Sequence, residues 1–195
     1  MWRGLQNALN GSSQCHIYNP LLDQWTSMMS MDETLAGSVG FSIDGKGYIA
    51  GGITSGFSGC LTNLRMFDPA LNIWTEKAPL PVGQCGGTGK VINGKAYVGL
   101  GYGENSFFEY DPSLDSWKNL TEYGGQKAGD LINFQSNGEL YFGFGFRELN
   151  AGTAVEPTTD LFKYNLAQDK WYKICLLYTS PSPRDATLSR MPSSA

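Results

Sequence analysis

Tyr110-Asp111-Pro112-Ser113-Leu114-Asp115-Ser116-Trp117 is one of four variants of a single unit. The others run from Tyr18-Asn19-Pro20 to Trp25, from Phe67-Asp68-Pro69 to Trp74, and from Tyr164-Asn165-Leu166 to Trp171. In each copy the aromatic precedes the Trp by seven residues, and Asp23, Asn72, Asp115 or Asp169 stands two before it. Only the fourth copy departs, with Leu166 where the others have Pro. Pro presets φ for a turn, and an Asp or Asn beside it caps the turn with its side chain. The unit therefore reads as a hairpin. One strand ends at the aromatic, a turn follows, and the next strand carries the Trp.

A second unit precedes each of the last three copies. Its copies run Val39–Gly52, Gly89–Gly101 and Leu131–Gly145, with Asp44-Gly45, Asn93-Gly94 and Asn137-Gly138 between two apolar runs. Asp-Gly and Asn-Gly are the strongest short hairpin signals, because a type I′ turn needs positive φ at both central residues. The run after each turn is apolar at nearly every position, as in a strand buried on both faces. Each period thus holds four strands. The tryptophans are 49, 43 and 54 residues apart, and four strands at such a spacing make one blade of a propeller. A meandering sandwich is the alternative, but it gives no reason for four identical seven-residue offsets.

Composition agrees. The chain has 195 residues, 25 glycines, 13% aromatic and only 16% charged residues, which suits short strands and tight turns better than long helices or disorder. A net charge of −4 argues against nucleic-acid binding, which needs a basic surface. No apolar run approaches the length of a membrane span. The four cysteines, Cys15, Cys60, Cys85 and Cys175, fit no zinc spacing. They read as buried or half-buried thiols; a disulfide among them is possible, but its pairing cannot be read from sequence.

These residues resemble the kelch repeat, which carries a glycine doublet at the end of its second strand, a Tyr in its third and a Trp in its fourth. The positions that match are Gly51, Gly52, Gly99, Gly101, Gly143 and Gly145, with Tyr18, Phe67, Tyr110 and Tyr164, and with Trp25, Trp74, Trp117 and Trp171. Only Gly51-Gly52 is a full doublet; Leu100 and Phe144 split the other two. That looseness is similar to kelch-like proteins of bacteria; the sequence does not fix a compartment, and a bacterial source would favour a secreted or cell-surface setting. The fold expected is all-β, a partial kelch β-propeller of about three and a half four-stranded blades and not a closed ring.

The organisation expected is a fragmentary N-terminus over 1–13, the second half of a blade plus linker over 14–36, and blades at 37–78, 86–120 and 128–174. A kelch ring usually takes six or seven blades, so the sequence reads as about half a ring whose exposed edges lead to self-association. From Cys175 the character changes. Cys175-Leu176-Leu177-Tyr178-Thr179-Ser180-Pro181-Ser182-Pro183-Arg184-Asp185 resembles the translation of a transposase sequencing adapter. Residues 175–195 are therefore expected to be disordered and adapter-derived, with the natural chain continuing past Ile174.

The resemblance implies a ligand site on loops at one mouth of the propeller. These are 53–62, 102–106 and 146–159 within blades, and 29–36, 78–85 and 121–127 between them. The candidate binding residues are Phe57, Tyr102, Glu104, Phe146, Arg147 and Glu156, forming a polar pocket with aromatic edges. The partner expected is a protein or a glycan, with no cofactor and no metal. Catalysis is the weaker expectation, and no catalytic residue is assigned. His16 is the only histidine, and no Ser or Cys stands in a nucleophile motif. The alternative is a fragment of a carbohydrate-active kelch enzyme, either sialic-acid mutarotase-like or radical copper oxidase-like. In the first, Glu156 would be the acid/base and Arg147 the cation for a substrate carboxylate. The second needs two histidines, tyrosines and a cross-linked Cys, a set this sequence lacks.

Overall fold

The computed structural model describes residues 11–54, 59–149 and 154–174. They form strands and turns with no helix. β1 (Cys15–Asn19) and β2 (Gln24–Met28) make a two-stranded sheet. Three four-stranded antiparallel sheets follow. The first runs β3 (Val39–Ile43), β4 (Lys46–Ala50), β5 (Leu64–Asp68) and β6 (Ile73–Lys77). The second runs β7 (Thr88–Ile92), β8 (Lys95–Gly99), β9 (Phe107–Asp111) and β10 (Ser116–Asn119). The third runs β11 (Ile132–Ser136), β12 (Glu139–Gly143), β15 (Leu161–Asn165) and β16 (Lys170–Ile174). Between β12 and β15 lies a separate ribbon, β13 (Phe146–Leu149) with β14 (Ala154–Pro157). The first strands pack side by side, β3 against β7 and β7 against β11. The sheets thus stand as consecutive blades of a partial, unclosed propeller.

The glycine hairpins turn at the residues their chemistry selects. Asp44-Gly45 has φ of 49° and 73°, Asn93-Gly94 52° and 74°, and Asn137-Gly138 50° and 75°, as a type I′ turn requires. The outer hairpins share a different device. The first Asx caps the turn: the Asp68 carboxylate accepts from the Ala70 amide at 3.0 Å and the Asn165 amide oxygen from the Gln168 amide at 2.9 Å. The second Asx takes the left-handed conformation, with φ of 50° at Asp23, 55° at Asn72, 46° at Asp115 and 48° at Asp169. Leu166 leaves this geometry intact, since the cap and the left-handed residue do not depend on Pro.

The seven-residue offset is a register. Tyr18 lies directly opposite Trp25, Phe67 opposite Trp74, Tyr110 opposite Trp117 and Tyr164 opposite Trp171. Ring centroids in these pairs are 4.8–5.0 Å apart, a productive aromatic contact. Each later pair also grips the preceding blade. Trp74 Nε1 donates to the Met29 carbonyl at 2.8 Å, Trp117 Nε1 to that of Ala78 at 2.7 Å, and Trp171 Nε1 to that of Thr121 at 2.8 Å. The left-handed Asx takes the amide of the same residue. Met29 N–H donates to Asn72 at 2.7 Å, Ala78 N–H to Asp115 at 3.1 Å and Thr121 N–H to Asp169 at 2.8 Å. Met29, Ala78 and Thr121 each stand four residues past the Trp of their own blade. A backbone amide and carbonyl are thus clasped by the next blade at three successive junctions.

The core consists of two clusters, each spanning a junction. One joins Val39, Tyr48 and Leu64 of the first four-stranded sheet to Val98, Phe108 and Tyr110 of the second. The other joins Tyr97 and Phe107 to Leu140, Phe142, Phe162 and Tyr164. Neighbouring blades bury each other, which is how repeat architectures gain most of their stability.

Two expectations need correction. The segment expected as a loop over 146–159 contains the β13–β14 ribbon, in register from Phe146↔Pro157 to Leu149↔Ala154. Cys60 and Cys85, read as thiols with a disulfide possible but not assignable, form a disulfide with Cα atoms 5.2 Å apart. The long-range fold, invisible in spacing, brings them together. Cys15 is a free, half-buried thiol. The N-terminal residues 1–10 and the tail from Cys175 lie outside the described residues.

Candidate binding face

The loops at one end of the blades are organised by the short stretch 83–87. Gln84 is fully buried, and its backbone N–H donates to the Leu61 carbonyl at 3.0 Å. Its backbone carbonyl accepts from Gly52 at 2.6 Å, and its side-chain oxygen accepts from Gly101 N–H at 2.9 Å. The Cys85 carbonyl accepts from Tyr102 N–H at 2.9 Å. Gly86 N–H donates to Gly37, and the Gly86 carbonyl accepts from Asp130 N–H at 2.7 Å. Three consecutive residues, Gln84, Cys85 and Gly86, therefore tie the loops following β2, β4, β8 and β10 to one another. The Cys60–Cys85 disulfide adds a covalent tie from this stretch to the loop following β4. Gln84 Nε2 is buried without a hydrogen-bond partner among the described residues.

Tyr102 sits where these ties converge. Its ring occupies the space over two glycines, because a Cβ at Gly86 or at Gly129 would overlap ring carbons. Its hydroxyl donates to the Asp130 carboxylate. Gly129 in turn exchanges both backbone hydrogen bonds with Phe146, at 2.8 and 2.9 Å. The Phe146 side chain is 45% exposed. Tyr102 and Phe146, both candidates from sequence, thus both meet one glycine, the first through its ring and the second through its backbone. Glu104 lies in the same turn as Tyr102; its N–H donates to Gly101 at 3.0 Å and its carboxylate accepts from the Ser106 hydroxyl at 3.2 Å.

Arg147 and Glu156 are direct cross-strand partners on β13 and β14. Arg147 Nε donates to Glu156 Oε2 at 2.9 Å, and an Nη donates to the same oxygen. They are together, but they answer each other's charge rather than presenting two separate groups to a ligand. Phe57 lies outside the described residues. Gln84, Asp130 and the glycines 86 and 129 were not legible as site residues. Their one sequence signal is that Gly86-Gly87 and Gly129-Asp130 stand just ahead of the first strand of a blade, outside the glycine positions of the repeat.

An open cavity of ≈ 330 Å³ lies elsewhere, beside Trp74, with Met31, Asp32, Arg65 and Glu76 in its lining. Arg65 there is paired with Asp32, with Glu33 at 2.9 Å and with Glu76 at 3.8 Å. Its cation is already neutralised within the junction. His16 lies on β1 with its Nδ1 3.4 Å from the Ser27 hydroxyl, within the two-stranded sheet.

What the geometry defines is an all-β partial propeller whose loop end is a hydrogen-bonded, disulfide-tied platform. No protein-family model matches the chain, and no curated protein matches it. Solved structures do. One titled "Structure of YjhT" is similar over 88% of this chain and 67% of that one, at 16% identity and a TM-score of 0.67. A likeness at that identity establishes the propeller-like fold and nothing finer.

Proposed function

We propose that this chain is a kelch-type binding scaffold that recognises a protein or glycan ligand through the loop end of the propeller. The observation that carries this reading is the Tyr102 ring seated over Gly86 and Gly129 beside exposed Phe146. Aromatic rings offer a flat apolar face at low entropic cost, and rigid support lowers the cost of binding further. Glu104 and the Tyr102 hydroxyl add polar groups at the rim. The kelch assignment rests on the Tyr/Trp register, the left-handed Asx and the glycines at or just past the ends of β4, β8 and β12. The enzymatic alternative draws less support, since Glu156 is held by Arg147 and is not poised as a separate acid or base.

The test is a glycan array and an affinity capture with the full chain, followed by Phe146→Ala and Tyr102→Ala. Loss of an aromatic anchor costs about 2 kcal/mol or more, so binding should weaken roughly thirtyfold with unchanged circular dichroism. A ligand whose affinity ignores both substitutions would refute the assignment of this face. Binding to no glycan would leave a protein partner as the reading to pursue.

A further inference from the structure

The first junction between sheets is built differently from the two that follow it. Arg65, Phe108 and Phe162 each stand two residues before the aromatic of their outer hairpin, and Met31, Leu80 and Tyr123 each stand six past the preceding tryptophan. At the second junction Leu80 and Phe108 are both buried in one core cluster. At the third, Tyr123 packs on Phe162 at 4.8 Å between ring centroids. The first junction puts Met31 and Arg65 in these places, and both line the open cavity of ≈ 330 Å³. The clasp is nonetheless complete there, since Trp74 and Asn72 hold Met29 as their counterparts do elsewhere. The cavity therefore follows from a change of side chains and not from a loosened junction.

The charges around it are also peculiar to this junction. Asp32-Glu33 stands where the later linkers carry Pro81-Val82 and Gly124-Gly125, and Glu76 stands where the later outer strands carry Asn119 and Lys173. Asp32, Glu33 and Glu76 all pair with Arg65. One guanidinium offsets one of the three carboxylates, so the group keeps an excess of negative charge. In the cavity lining, the Asp32 and Glu76 side chains are 78% and 86% exposed, whereas that of Arg65 is 13% exposed. A ligand thus meets the carboxylates before the cation. The lining also holds Met31, Ile73 and Trp74, whose indole is fixed by its bond to the Met29 carbonyl.

We propose that this pocket binds an organic cation, an ammonium or guanidinium group on a short apolar stem. The stem would lie against Met31, Ile73 and Trp74, and the charge beside Asp32 and Glu76. An indole face attracts a cation through its ring quadrupole. Carboxylates at a partly enclosed recess attract it more strongly than they would on an open surface, because less water screens them. A ligand carboxylate or phosphate would meet the same excess of charge as repulsion. The pocket contains none of the residues assigned to the loop end, so it is a second site.

Calorimetric titration of the full chain with n-butylguanidinium and with a blocked glycyl-arginyl-glycine peptide tests this, with n-butylurea as the neutral control. Both cations should bind roughly tenfold more tightly than the urea, and more weakly as salt is raised. Asp32→Asn and Glu76→Gln should each weaken binding about fivefold. Arg65→Phe with Met31→Leu restores the apolar pair of the second junction, and should abolish binding while keeping the β-sheet circular dichroism. A peptide that binds more tightly than butylguanidinium identifies the occupant as a basic side chain of a partner protein, and equal affinity identifies a free organic cation. No binding of either cation, equal binding of the urea, unchanged affinity in either carboxylate variant, or binding that survives Arg65→Phe/Met31→Leu would each overturn the proposal. Should that double variant lose its sheet signal, Asp32→Asn and Glu76→Gln carry the test, since both side chains are exposed.

Discussion

The Tyr110 hydroxyl donates to the Asp115 carboxylate at 2.7 Å, five residues along the chain and around a turn. Tyr164 and Asp169 repeat the bond at 2.6 Å, and Tyr18 and Asp23 at 2.8 Å. In the remaining copy both members change: Phe67 has no hydroxyl and Asn72 has no charge. The carboxylate thus accompanies the donor that stabilises it. This predicts a coupled pair. Tyr110→Phe should cost about 1–2 kcal/mol, since Asp115 keeps its charge and loses a hydrogen bond. Asp115→Asn keeps the acceptor oxygen and tolerates the left-handed backbone. The double variant reproduces the Phe67–Asn72 arrangement, so its cost should fall below the sum of the singles by about 1 kcal/mol. Urea melts of the four proteins measure the coupling, and strict additivity would refute it.

Acid should open the junctions before it melts the hairpins. Burial opposes ionisation of Asp115, but the Tyr110 hydroxyl, the Ala78 amide and Lys77 outweigh it and hold the carboxyl below its usual value. Asp169 follows the same pattern with Tyr164 and Thr121. A carboxylate depressed in the folded state contributes stability that is full above its unfolded pKa, about 4. That contribution is lost as pH falls through the lower folded value. Melting temperature should therefore hold from neutrality to about pH 4 and then drop. The drop should be smaller in Asp115→Asn/Asp169→Asn, and an equal drop in that variant would count against these two carboxylates.

The hairpins were legible because they are local. Asn93-Gly94 specifies its own turn, and the offset between Tyr110 and Trp117 is a register written within eight residues. The same holds for the all-β class. What escaped is what the blades create by stacking. No local pattern marks Gln84 as the residue on which Leu61, Gly52 and Gly101 converge, or Gly129 as the floor beneath Tyr102. The ribbon from Phe146 to Pro157 escaped for another reason. Its strands are four residues each, too short to show alternation beside the long apolar runs of the blades. Arg147 and Glu156 looked like independent ligand groups because sequence cannot show that they lie opposite each other.

The disulfide gives the loop platform a measurable dependence on redox state. Cys60 and Cys85 close a loop of 25 residues. In the chain-entropy model such a cross-link contributes about 3.5 kcal/mol by restricting the unfolded chain. A dithiol reductant, or Cys60→Ser with Cys85→Ser, should lower the melting temperature by several degrees. It should also speed amide exchange around Gly52, Leu61 and Tyr102, which hang on stretch 83–87. A non-reducing peptide map should show one Cys60–Cys85 linked pair. Recovery of both as free thiols from oxidised protein would refute the prediction.

The glycine positions after the second strand of each blade separate steric need from habit. Gly51, Leu100 and Phe144 occupy equivalent places with φ of 64°, 58° and 56°. All three are left-handed, a conformation that costs an L-residue about 1–2 kcal/mol. Leu100 offsets that cost by full burial in the second junction cluster, whereas Phe144 is 41% exposed. Phe144→Gly should therefore leave stability within about 1 kcal/mol of the parent, as relief of the backbone balances lost chain restriction. Leu100→Gly should lose about 2–4 kcal/mol, because the cavity outweighs the relief. Gly51 admits neither exchange in reverse, since a Cβ there would overlap the Gln84 carbonyl. Gly51→Ala should destabilise more than the φ cost alone and loosen the platform built on Gln84. Equal melting temperatures for Gly51→Ala and the parent would show that this glycine is retained for neither reason.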